Sequence, residues 1–379
     1  MKINNFDTAD FLQNVWQKKP LVIRQGFQQA DWLEPDDLAG LACEEGVESR
    51  IILQKENAWQ VEHGPFPETR FSSLPERDWT LLVQAVDQWV PEVADILKGF
   101  KFLPAWRVDD VMVSYAPVGG TVSQHFDFYD VFLIQGEGSR SWQIGQVCDS
   151  NSRLLPDTPV KILQEFEMTM EVTLLPGDIL YIPARFAHYG VSVEDSLTYS
   201  VGFRAPSVRD MVDGISTAAL ECLSDEQRYQ DSPLSLQAAT GEIPASAIEQ
   251  VRQLLLSAVN DPGLIRDWLG AYVTEPKYPE AERVQGDIEG FLERLDEGDV
   301  LIRAPGSRFA YVRLAEPERA LLYVDGERYQ CPLKLAIFLA EAEHLQSEML
   351  KVFCEEDGQR HCLETLLVSG ALVFEADLE

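Results

Sequence analysis

The chain has 379 residues, of which 45% are hydrophobic and 25% charged, a composition typical of folded proteins and not of disordered ones. Its length predicts two to three domains. The 63 acidic and 31 basic side chains leave a net charge of −32, which disfavours direct binding to DNA or another phosphate backbone. The same charge would attract a basic partner.

Several features of the sequence predict where the protein works. The N-terminal residues contain no apolar segment typical of a signal peptide, and no apolar run reaches the roughly 18 residues of a membrane-spanning helix. The 6 cysteines form no CxxC pair, as is common for reduced thiols. We therefore expect a soluble, cytoplasmic protein that has no contact with a membrane.

The first hundred residues are predicted to be mainly helices and loops. Thr8 is a candidate N-cap for a helix with apolar residues at helical spacing from Phe11 to Trp16. Residues 79–100 form the next predicted helical stretch, which is interrupted at Pro91.

From residue 108 the pattern changes to short runs of β-branched and aromatic residues separated by Gly and Pro. These runs are VDDVMVSYAP, DVFLIQGEGSRSWQIG, MEVTLLPGDILYIP and LTYSVGFRAP. Such closely spaced short strands are typical of an all-β sandwich or barrel.

After Pro206 the sequence predicts three amphipathic helices, at 211–229, 245–261 and 264–273. These helices carry more apolar side chains than an isolated bundle of that size needs, so we predict that they form a homodimer interface. The alternative is that the same side chains pack on the β-core of their own chain. The apolar residues in question are Met211, Ile215, Leu220, Leu254, Leu255, Leu256, Ile265, Trp268 and Leu269.

The last hundred residues combine a strand-like stretch, a hairpin with Asp325-Gly326 at its turn, further helices from 332 and a terminal strand. This combination predicts a winged-helix-like domain, but its acidic residues outnumber the basic ones, so we do not expect it to bind DNA. The predicted fold class is α+β and multidomain, with domains at 1–206, 207–278 and 279–379.

The first candidate for chemistry is His125-Phe126-Asp127. On a strand, residues i and i+2 share a face, so His125 and Asp127 can converge on one metal ion. His188, on the loop expected after the strand ILYIP, would be a third ligand. Two imidazoles and one carboxylate form the facial triad of non-haem Fe(II) oxygenases, although zinc fits the same ligands. The alternative interpretation is a surface histidine beside a loop carboxylate.

The second candidate is Arg140. We predict a hairpin around Glu137-Gly138 that pairs Gln135 with Arg140 and points the arginine into the cavity of the H-x-D pair. A buried guanidinium requires an anion, and its fork geometry suits a carboxylate. A slip of one residue would instead leave Arg140 on the protein surface.

Together these residues resemble the JmjC-type 2-oxoglutarate oxygenases of the cupin superfamily. That family has H-x-D, a basic residue for the distal carboxylate of 2-oxoglutarate and a distal histidine, here His125/Asp127, Arg140 and His188. Arg at the basic position, where most members have Lys, resembles the bacterial ribosomal-oxygenase branch. Four segments also resemble that branch: WQKKPLVIRQGF, DVFLIQGEGSRSWQIG, PGDILYIPARFAHYG and LTYSVGFRAP.

The resemblance implies a cupin-like double-stranded β-helix core that uses Fe(II), 2-oxoglutarate and dioxygen. It implies homodimerisation through the helical segment and hydroxylation at an arginine Cβ of a large-subunit ribosomal protein. Ser114 and Ser200 would hydrogen-bond 2-oxoglutarate if they face inward. Tyr115, Tyr129 and Asp130 are candidates for binding the substrate arginine; otherwise they belong to the strand core and its solvated edge.

Two other functions remain open at this point. A JmjC hydroxylase or demethylase acting on another protein residue would share all the cavity motifs, because these motifs serve the oxidation chemistry and not target choice. A cupin-like module that binds metal or protein without catalysis is the other alternative, although such a module would not need Arg140.

Overall fold

The computed structural model describes residues 1–28, 30–55, 58–231, 233, 236, 239–277, 286, 288, 290–342 and 345–378. The chain divides into two compact units, the first ending at Ala205 and the second beginning at Pro206. Within the described residues, no helix is both long enough and apolar enough to cross a membrane.

The described residues of the first unit form eleven strands and four short α-helices. The helices are α1 (Thr8–Asp10), α2 (Pro35–Leu41), α3 (Glu68–Phe71) and α4 (Pro91–Ala94). The strands are β1 (Leu21–Ile23), β2 (Ser49–Lys55), β3 (Ala58–His63), β4 (Trp79–Val83), β5 (Val108–Ala116), β6 (Asp130–Gln135), β7 (Arg140–Val147), β8 (Met170–Leu174), β9 (Ile179–Ile182), β10 (Phe186–Ser192) and β11 (Ser196–Phe203).

These strands form two antiparallel sheets. The larger sheet has the order β1-β9-β6-β11-β5-β4-β2-β3, and the smaller has the order β10-β7-β8. The inner core, which draws side chains from both sheets, comprises Val131, Leu133, Trp142, Ile144, Val172, Leu174, Leu180 and Ile182. The inner core therefore lies between the sheets, as expected for the predicted sandwich or barrel.

The opposite face of the larger sheet carries a second layer, the outer core. Along β6, Phe132 and Ile134 belong to the outer core, whereas Val131 and Leu133 belong to the inner core. This alternation follows from the two-residue period of a strand. N-terminal side chains such as that of Phe11 complete the outer core, with ring centroids of Phe11 and Tyr181 5.0 Å apart.

Three sequence-based expectations in this unit were wrong. Residues 79–83 form the strand β4 and not a helix, because a short, wholly buried run fits either element. The cap of the first helix is Asp7, whose carboxylate accepts from the backbone N–H groups of Ala9 and Asp10, and not Thr8. The predicted β6–β7 hairpin does not form, because β6 pairs with β9 and β11 while β7 pairs with β8 and β10.

The second unit contains helices and short strands. The helices are α5 (Val208–Cys222), α6 (Ala245–Val259), α7 (Pro262–Thr274), α8 (Phe291–Glu297), α9 (Leu333–Glu341), α10 (Ser347–Cys354) and α11 (Asp357–Val368). The strands are β12 (Leu301–Arg303), β13 (Phe309–Arg313), β14 (Arg319–Val324), β15 (Glu327–Pro332) and β16 (Leu372–Phe374). The predicted hairpin is confirmed, with Asp325 and Gly326 both at positive φ between β14 and β15.

Helices α5–α7 group with the C-terminal elements in one compact unit. Helix α7 packs on the hairpin: the hydroxyl of Tyr323 donates to the carboxylate of Asp267 at 2.7 Å, and Gly270 lies against the same ring. The boundary expected at 278/279 lies outside the described residues. A helical domain over 207–278 that is separate from the C-terminal domain stays a prediction.

Candidate active site

Three side chains of the first unit form a cluster suited to a metal ion. His125, Asp127 and His188 each offer a ligand atom, and these atoms lie within 4.8 Å of one another. The Nε2 atoms of His125 and His188 lie 3.6 Å and 3.7 Å from the same carboxylate oxygen of Asp127. Two imidazoles and one carboxylate at these separations can bind one divalent cation and leave coordination positions open.

The backbone brings the two histidines together. The N–H of His125 donates to the carbonyl of His188 at 3.0 Å, and the N–H of His188 donates to the carbonyl of His125 at 2.8 Å. His125 lies on this isolated bridge, Asp127 lies in the following loop, and His188 lies on β10. The sequence-based placement of His125 and Asp127 on one strand, and of His188 on a loop, was therefore wrong, although the three side chains meet.

Both imidazole rings are held in one tautomer. The Nδ1 atom of His125 lies 3.0 Å from the carbonyl of Ser123, and that of His188 lies 3.0 Å from the carbonyl of Phe186. Because a carbonyl oxygen only accepts, Nδ1 carries the proton in both rings. Each Nε2 is therefore the atom with a free lone pair, as metal coordination requires.

Burial keeps His188 uncharged. Desolvation, with repulsion from His125, lowers the pKa of His188 to about 4, although Asp127 and the Phe186 carbonyl oppose this shift. Neutral imidazole is the form that binds a metal, so His188 is ready to coordinate at neutral pH.

Arg140 is buried in the same layer. It is 5% exposed and begins β7, on the face that contributes Trp142 and Ile144 to the inner core. Its Nε and Nη2 donate to the hydroxyl of Ser192 at 3.2 Å and 3.1 Å, and its Nη1 donates to the hydroxyl of Ser114 at 3.3 Å. Its position results from pairing with β8 and β10, not from the expected hairpin with β6.

The guanidinium of Arg140 has no charged partner among the described residues. Burial lowers the pKa of Arg140 to about 10, and no neighbouring carboxylate offsets this shift. A guanidinium has five N–H bonds, and three of these are used by the serine hydroxyls, which leaves two. A buried cation with free donors is a receptor for an anion, and a carboxylate fits its planar fork.

The two predicted serines differ in the contacts that the structure gives them. Ser114 contacts Arg140, whereas Ser200 is buried on β11 opposite Leu133 of β6. Alternation places Ser200 on the inner face, since Tyr199 and Val201 belong to the outer core. Both serines therefore face the layer between the sheets.

Ser192 is the functional candidate that the sequence analysis missed. Its hydroxyl accepts two N–H bonds from Arg140, so its own proton must point to the hydroxyl of Ser196, 2.9 Å away. Ser192 follows His188 by four residues on β10 and therefore shares its face. That spacing was visible in the sequence, but only if 186–192 is recognised as a strand.

Of the three predicted substrate-binding residues, Tyr129 alone lies at the cluster. Burial and the adjacent carboxylate of Asp127 raise the pKa of Tyr129 well above its ordinary value, so the phenol keeps its proton. Tyr115 lies on the opposite face of β5 from Ser114, in contact with the outer core, and its ring centroid is 5.5 Å from that of Trp79. Alternation along β5 thus removes Tyr115 from the site.

Asp130 also faces away from the cluster. Its carboxylate accepts from the hydroxyl of Tyr181 at 2.8 Å, from Nε2 of Gln17 at 3.0 Å and from Nη2 of Arg107 at 3.4 Å. With the backbone N–H of Ala184 at 3.4 Å, these donors satisfy a carboxylate that is 1% exposed, so Asp130 has a structural role. The expectation that Asp130 binds substrate is withdrawn for this reason.

Comparisons with known protein families identify two segments of the chain. Residues 95–211 match the JmjC domain, and residues 252–373 match the ROXA-like winged helix. The predicted cupin-like core and winged-helix-like C-terminal domain are therefore confirmed.

Relatives extend the match to the whole chain. The chain is 34% identical over 374 residues to ribosomal protein uL16 3-hydroxylase of Escherichia coli (strain K12), covering 97% of each sequence. It is 43% identical over 253 residues to a probable ribosomal oxygenase of Haemophilus influenzae, covering 65% of this chain and 62% of the relative.

Solved structures agree with the sequence relatives. The crystal structure of Escherichia coli YcfD covers 99% of this chain and 100% of its own, with a TM-score of 0.89 and 33% identity. A complex of YcfD, described as a ribosomal oxygenase, with cobalt and 2-oxoglutarate covers 99% of both chains with a TM-score of 0.87 and 32% identity. A chain so similar over its full length, with the same two domains, belongs to the JmjC-domain ribosomal oxygenase family.

Proposed function

We propose that the protein is an Fe(II)- and 2-oxoglutarate-dependent oxygenase that hydroxylates the Cβ of an arginine in a large-subunit ribosomal protein. The observation that carries this proposal is the pairing of two features on the inner face. One is a His-Asp-His cluster with open coordination positions; the other is a buried arginine that has no counter-ion in the described part of the chain. The relatives are a uL16 3-hydroxylase and an oxygenase bound to 2-oxoglutarate, which supports the same chemistry.

The residues present fit this cofactor and co-substrate. In the proposal His125, Asp127 and His188 hold Fe(II), which with dioxygen and 2-oxoglutarate supplies the oxidising power when bound. Arg140 binds the distal carboxylate of 2-oxoglutarate through its two remaining N–H bonds. Ser192 and Ser114 hold the guanidinium in place, which reduces the entropy lost when the co-substrate binds.

The protein also protects the reaction from water. The inner core between the sheets is built from Leu, Ile, Val and Trp side chains, and among the described residues the hydrogen-bond partners of Arg140 are the hydroxyls of Ser192 and Ser114. In such an environment a charge pair between Arg140 and a carboxylate is stronger than in water. Exclusion of water also limits side reactions of the oxidant.

The relatives support a ribosomal protein as substrate, and the charge of the chain is compatible with a basic side chain such as arginine. A net charge of −32 attracts a basic ribosomal protein, and its attraction extends over a Debye length of about 8 Å at physiological ionic strength. Of the residues first considered for holding the substrate, Tyr129 is the one that remains beside the metal cluster. Because the proposed substrate is a ribosomal protein, we propose that the reaction takes place in the cytoplasm.

The deciding experiment supplies the purified protein with Fe(II), 2-oxoglutarate, air and ribosomal proteins of the large subunit. We expect one protein to gain 16 Da at a single arginine, together with equimolar succinate, as follows from insertion of one oxygen atom. The matched control replaces that arginine by lysine, whose compact ammonium cannot reproduce the planar fork. Modification of only a histidine or asparagine would contradict the arginine assignment and leave the oxygenase assignment standing. Absence of succinate under all conditions would contradict both.

We also propose that α5–α7 form a homodimer interface. Among the described residues of α6 none is buried, and Leu255 is 64% exposed. On α5, Val208 and Leu220 are 74% and 71% exposed. Pairing across a two-fold axis is the commonest way to cover such a surface. Sedimentation should show a dimer at micromolar concentration that Leu220→Glu with Leu255→Glu converts to monomer. A monomeric wild-type chain would rule the interface out.

A further inference from the structure

The indole N–H of Trp142 is a buried donor without an acceptor. Trp142 is 5% exposed within the inner core, and its Nε1 has no hydrogen-bond partner among the described residues. An unpaired buried donor costs about 1–3 kcal/mol, so folded proteins rarely retain one without a reason. The arginine beside it shows the same incomplete set of partners.

Trp142 lies between the two groups that would hold 2-oxoglutarate. On the β7–β10 ladder, Arg140 pairs with Ser192, Trp142 pairs with Gly190, and His188 pairs with Ile144. The guanidinium carbon of Arg140 is 5.8 Å from the centroid of the Trp142 ring, and the His188 ring is 6.1 Å from it. A dicarboxylate that extends from Arg140 to the metal must therefore pass this indole.

Gly190 lets the Trp142 ring pack directly on the β10 backbone. A Cβ at Gly190 would lie 2.7 Å from Cζ3 and Cη2 and 2.8 Å from Cε3 of Trp142. These nearly equal distances place that position over the face of the benzo ring. A side chain at residue 190 would therefore displace the indole and its N–H.

We propose that the Trp142 N–H donates a hydrogen bond to 2-oxoglutarate bound between Arg140 and the metal, and that Trp142 is a positioning residue for this co-substrate. The inference rests on the proposed function. It accounts for the orphaned N–H, since bound dicarboxylate supplies the acceptor that the chain lacks. It also gives Gly190 a role, because any side chain there would displace the donor.

The test observes this N–H directly. Full-length protein labelled with [15N]tryptophan and loaded with Zn(II), which is diamagnetic, should give eight indole cross-peaks in a 15N–1H correlation spectrum, one for each Trp. The Trp142 signal is assigned from Trp142→Phe. It is assigned independently as an indole strongly broadened when Co(II) replaces Zn(II), because its ring is 6.1 Å from His188. On addition of 2-oxoglutarate we expect its proton resonance to move downfield.

A matched pair of variants provides a second measurement. Trp142→Phe should raise the Kd of 2-oxoglutarate for the Zn(II) protein by roughly 10- to 100-fold, as expected for loss of one hydrogen bond to a charged acceptor. Trp79→Phe removes an indole N–H that donates to the Pro75 carbonyl at 2.7 Å, in contact with the outer core, and should leave that Kd unchanged.

The outcomes separate this inference from the proposed function. If calorimetry shows that 2-oxoglutarate binds wild-type protein while the Trp142 resonance stays in place, the inference is wrong and the proposed function stands. If 2-oxoglutarate does not bind wild-type protein at all, the proposed function fails and the inference fails with it. Should Trp142→Phe not fold, the wild-type titration with the Co(II) assignment still decides.

Discussion

Two buried charged groups, one on each side of the larger sheet, differ in the partners that the protein gives them. On the outer face, the carboxylate of Asp130 is surrounded by four donors, from Tyr181, Gln17, Arg107 and the backbone N–H of Ala184. In the layer between the two sheets, the guanidinium of Arg140, on β7 of the smaller sheet, has serine hydroxyls and no carboxylate among the described residues. Both groups are nearly inaccessible to solvent, and only the first is neutralised by its own chain.

This difference separates a structural charge from a binding charge. A carboxylate with a complete set of partners stabilises the packing around it and has nothing left to offer a ligand. A buried cation without a counter-ion destabilises the free protein, because nothing offsets the cost of its desolvation. When an anion binds, its charge offsets that cost, and this contributes to the affinity. The completeness of the partners, and not burial alone, distinguishes the two roles.

The largest expected effect is on the metal cluster of the inner face. His125→Ala, Asp127→Ala and His188→Ala should each abolish 2-oxoglutarate turnover, because two remaining ligands are too few to fix the metal. Circular dichroism should show an unchanged fold, since the outer core is not touched. Succinate release and metal content after dialysis measure the effect. Turnover near the wild-type rate in any of the three would contradict the ligand assignment.

The second largest effect is expected on stability, when the buried carboxylate of Asp130 on the outer face is removed. Asp130→Ala leaves Arg107 and the Tyr181 hydroxyl without their acceptor, so we expect the free energy of unfolding to fall by about 3–5 kcal/mol. Urea denaturation measures this change. Asp130→Asn keeps an acceptor oxygen and should lose less. The Kd of 2-oxoglutarate should not change in either variant; a large change would mean that the two faces are not independent.

Replacement of Arg140 should have two effects of opposite sign, a loss of 2-oxoglutarate affinity and a gain in the stability of the metal-free protein. Arg140→Met should weaken 2-oxoglutarate binding by on the order of 2–5 kcal/mol. It should also stabilise the metal-free protein by roughly 1–3 kcal/mol, because an apolar side chain of similar length removes an uncompensated buried cation. Calorimetry and urea denaturation measure the two quantities. Arg140→Lys should retain partial binding. Destabilisation by Arg140→Met would show that the guanidinium is structural, like Asp130.

The smallest expected effect is the pH dependence of His188. The pKa of His188 is lowered to about 4 in the folded chain, against roughly 6.5 in the unfolded one, so between these values the unfolded state binds more protons. The contribution of His188 to the free energy of unfolding is therefore largely present above about pH 6.5 and is lost as the pH falls toward 4. At pH 5.5 the metal-free protein should have lost about 1 kcal/mol relative to pH 7. His188→Leu should lack this component, and an equal loss in both proteins would contradict it.

Much of the second unit was predictable because its signals are local. Helix α6 begins at Ala245, as its amphipathic pattern predicted, and the hairpin turn at Asp325-Gly326 requires two positive φ values that these residues readily adopt.

In the first unit, the strand β4 was missed because a short, wholly buried run shows neither the helical nor the strand period.

The first unit depends on pairings that sequence does not encode locally. A turn after Gln135 was visible, but whether the chain folds back onto β6 or crosses to the other sheet depends on partners far along the sequence. The two-residue period of a strand does limit which residues can share a site. Ser114 and Tyr115 are adjacent on β5 and cannot face the same layer, so only one of them was eligible for the site.

The backbone bridge between His125 and His188 has a consequence for how the metal is loaded. The separation of the two imidazoles is set by paired peptide groups and by carbonyls that clamp each Nδ1, and not by the incoming ion. An ion therefore binds at a site whose two imidazoles are already in position, and its binding need not order the chain. Chelation should therefore be reversible without refolding, and one divalent ion should replace another on dialysis. Which ion the protein carries in a cell then depends on the supply of each metal as well as on its affinity for these ligands.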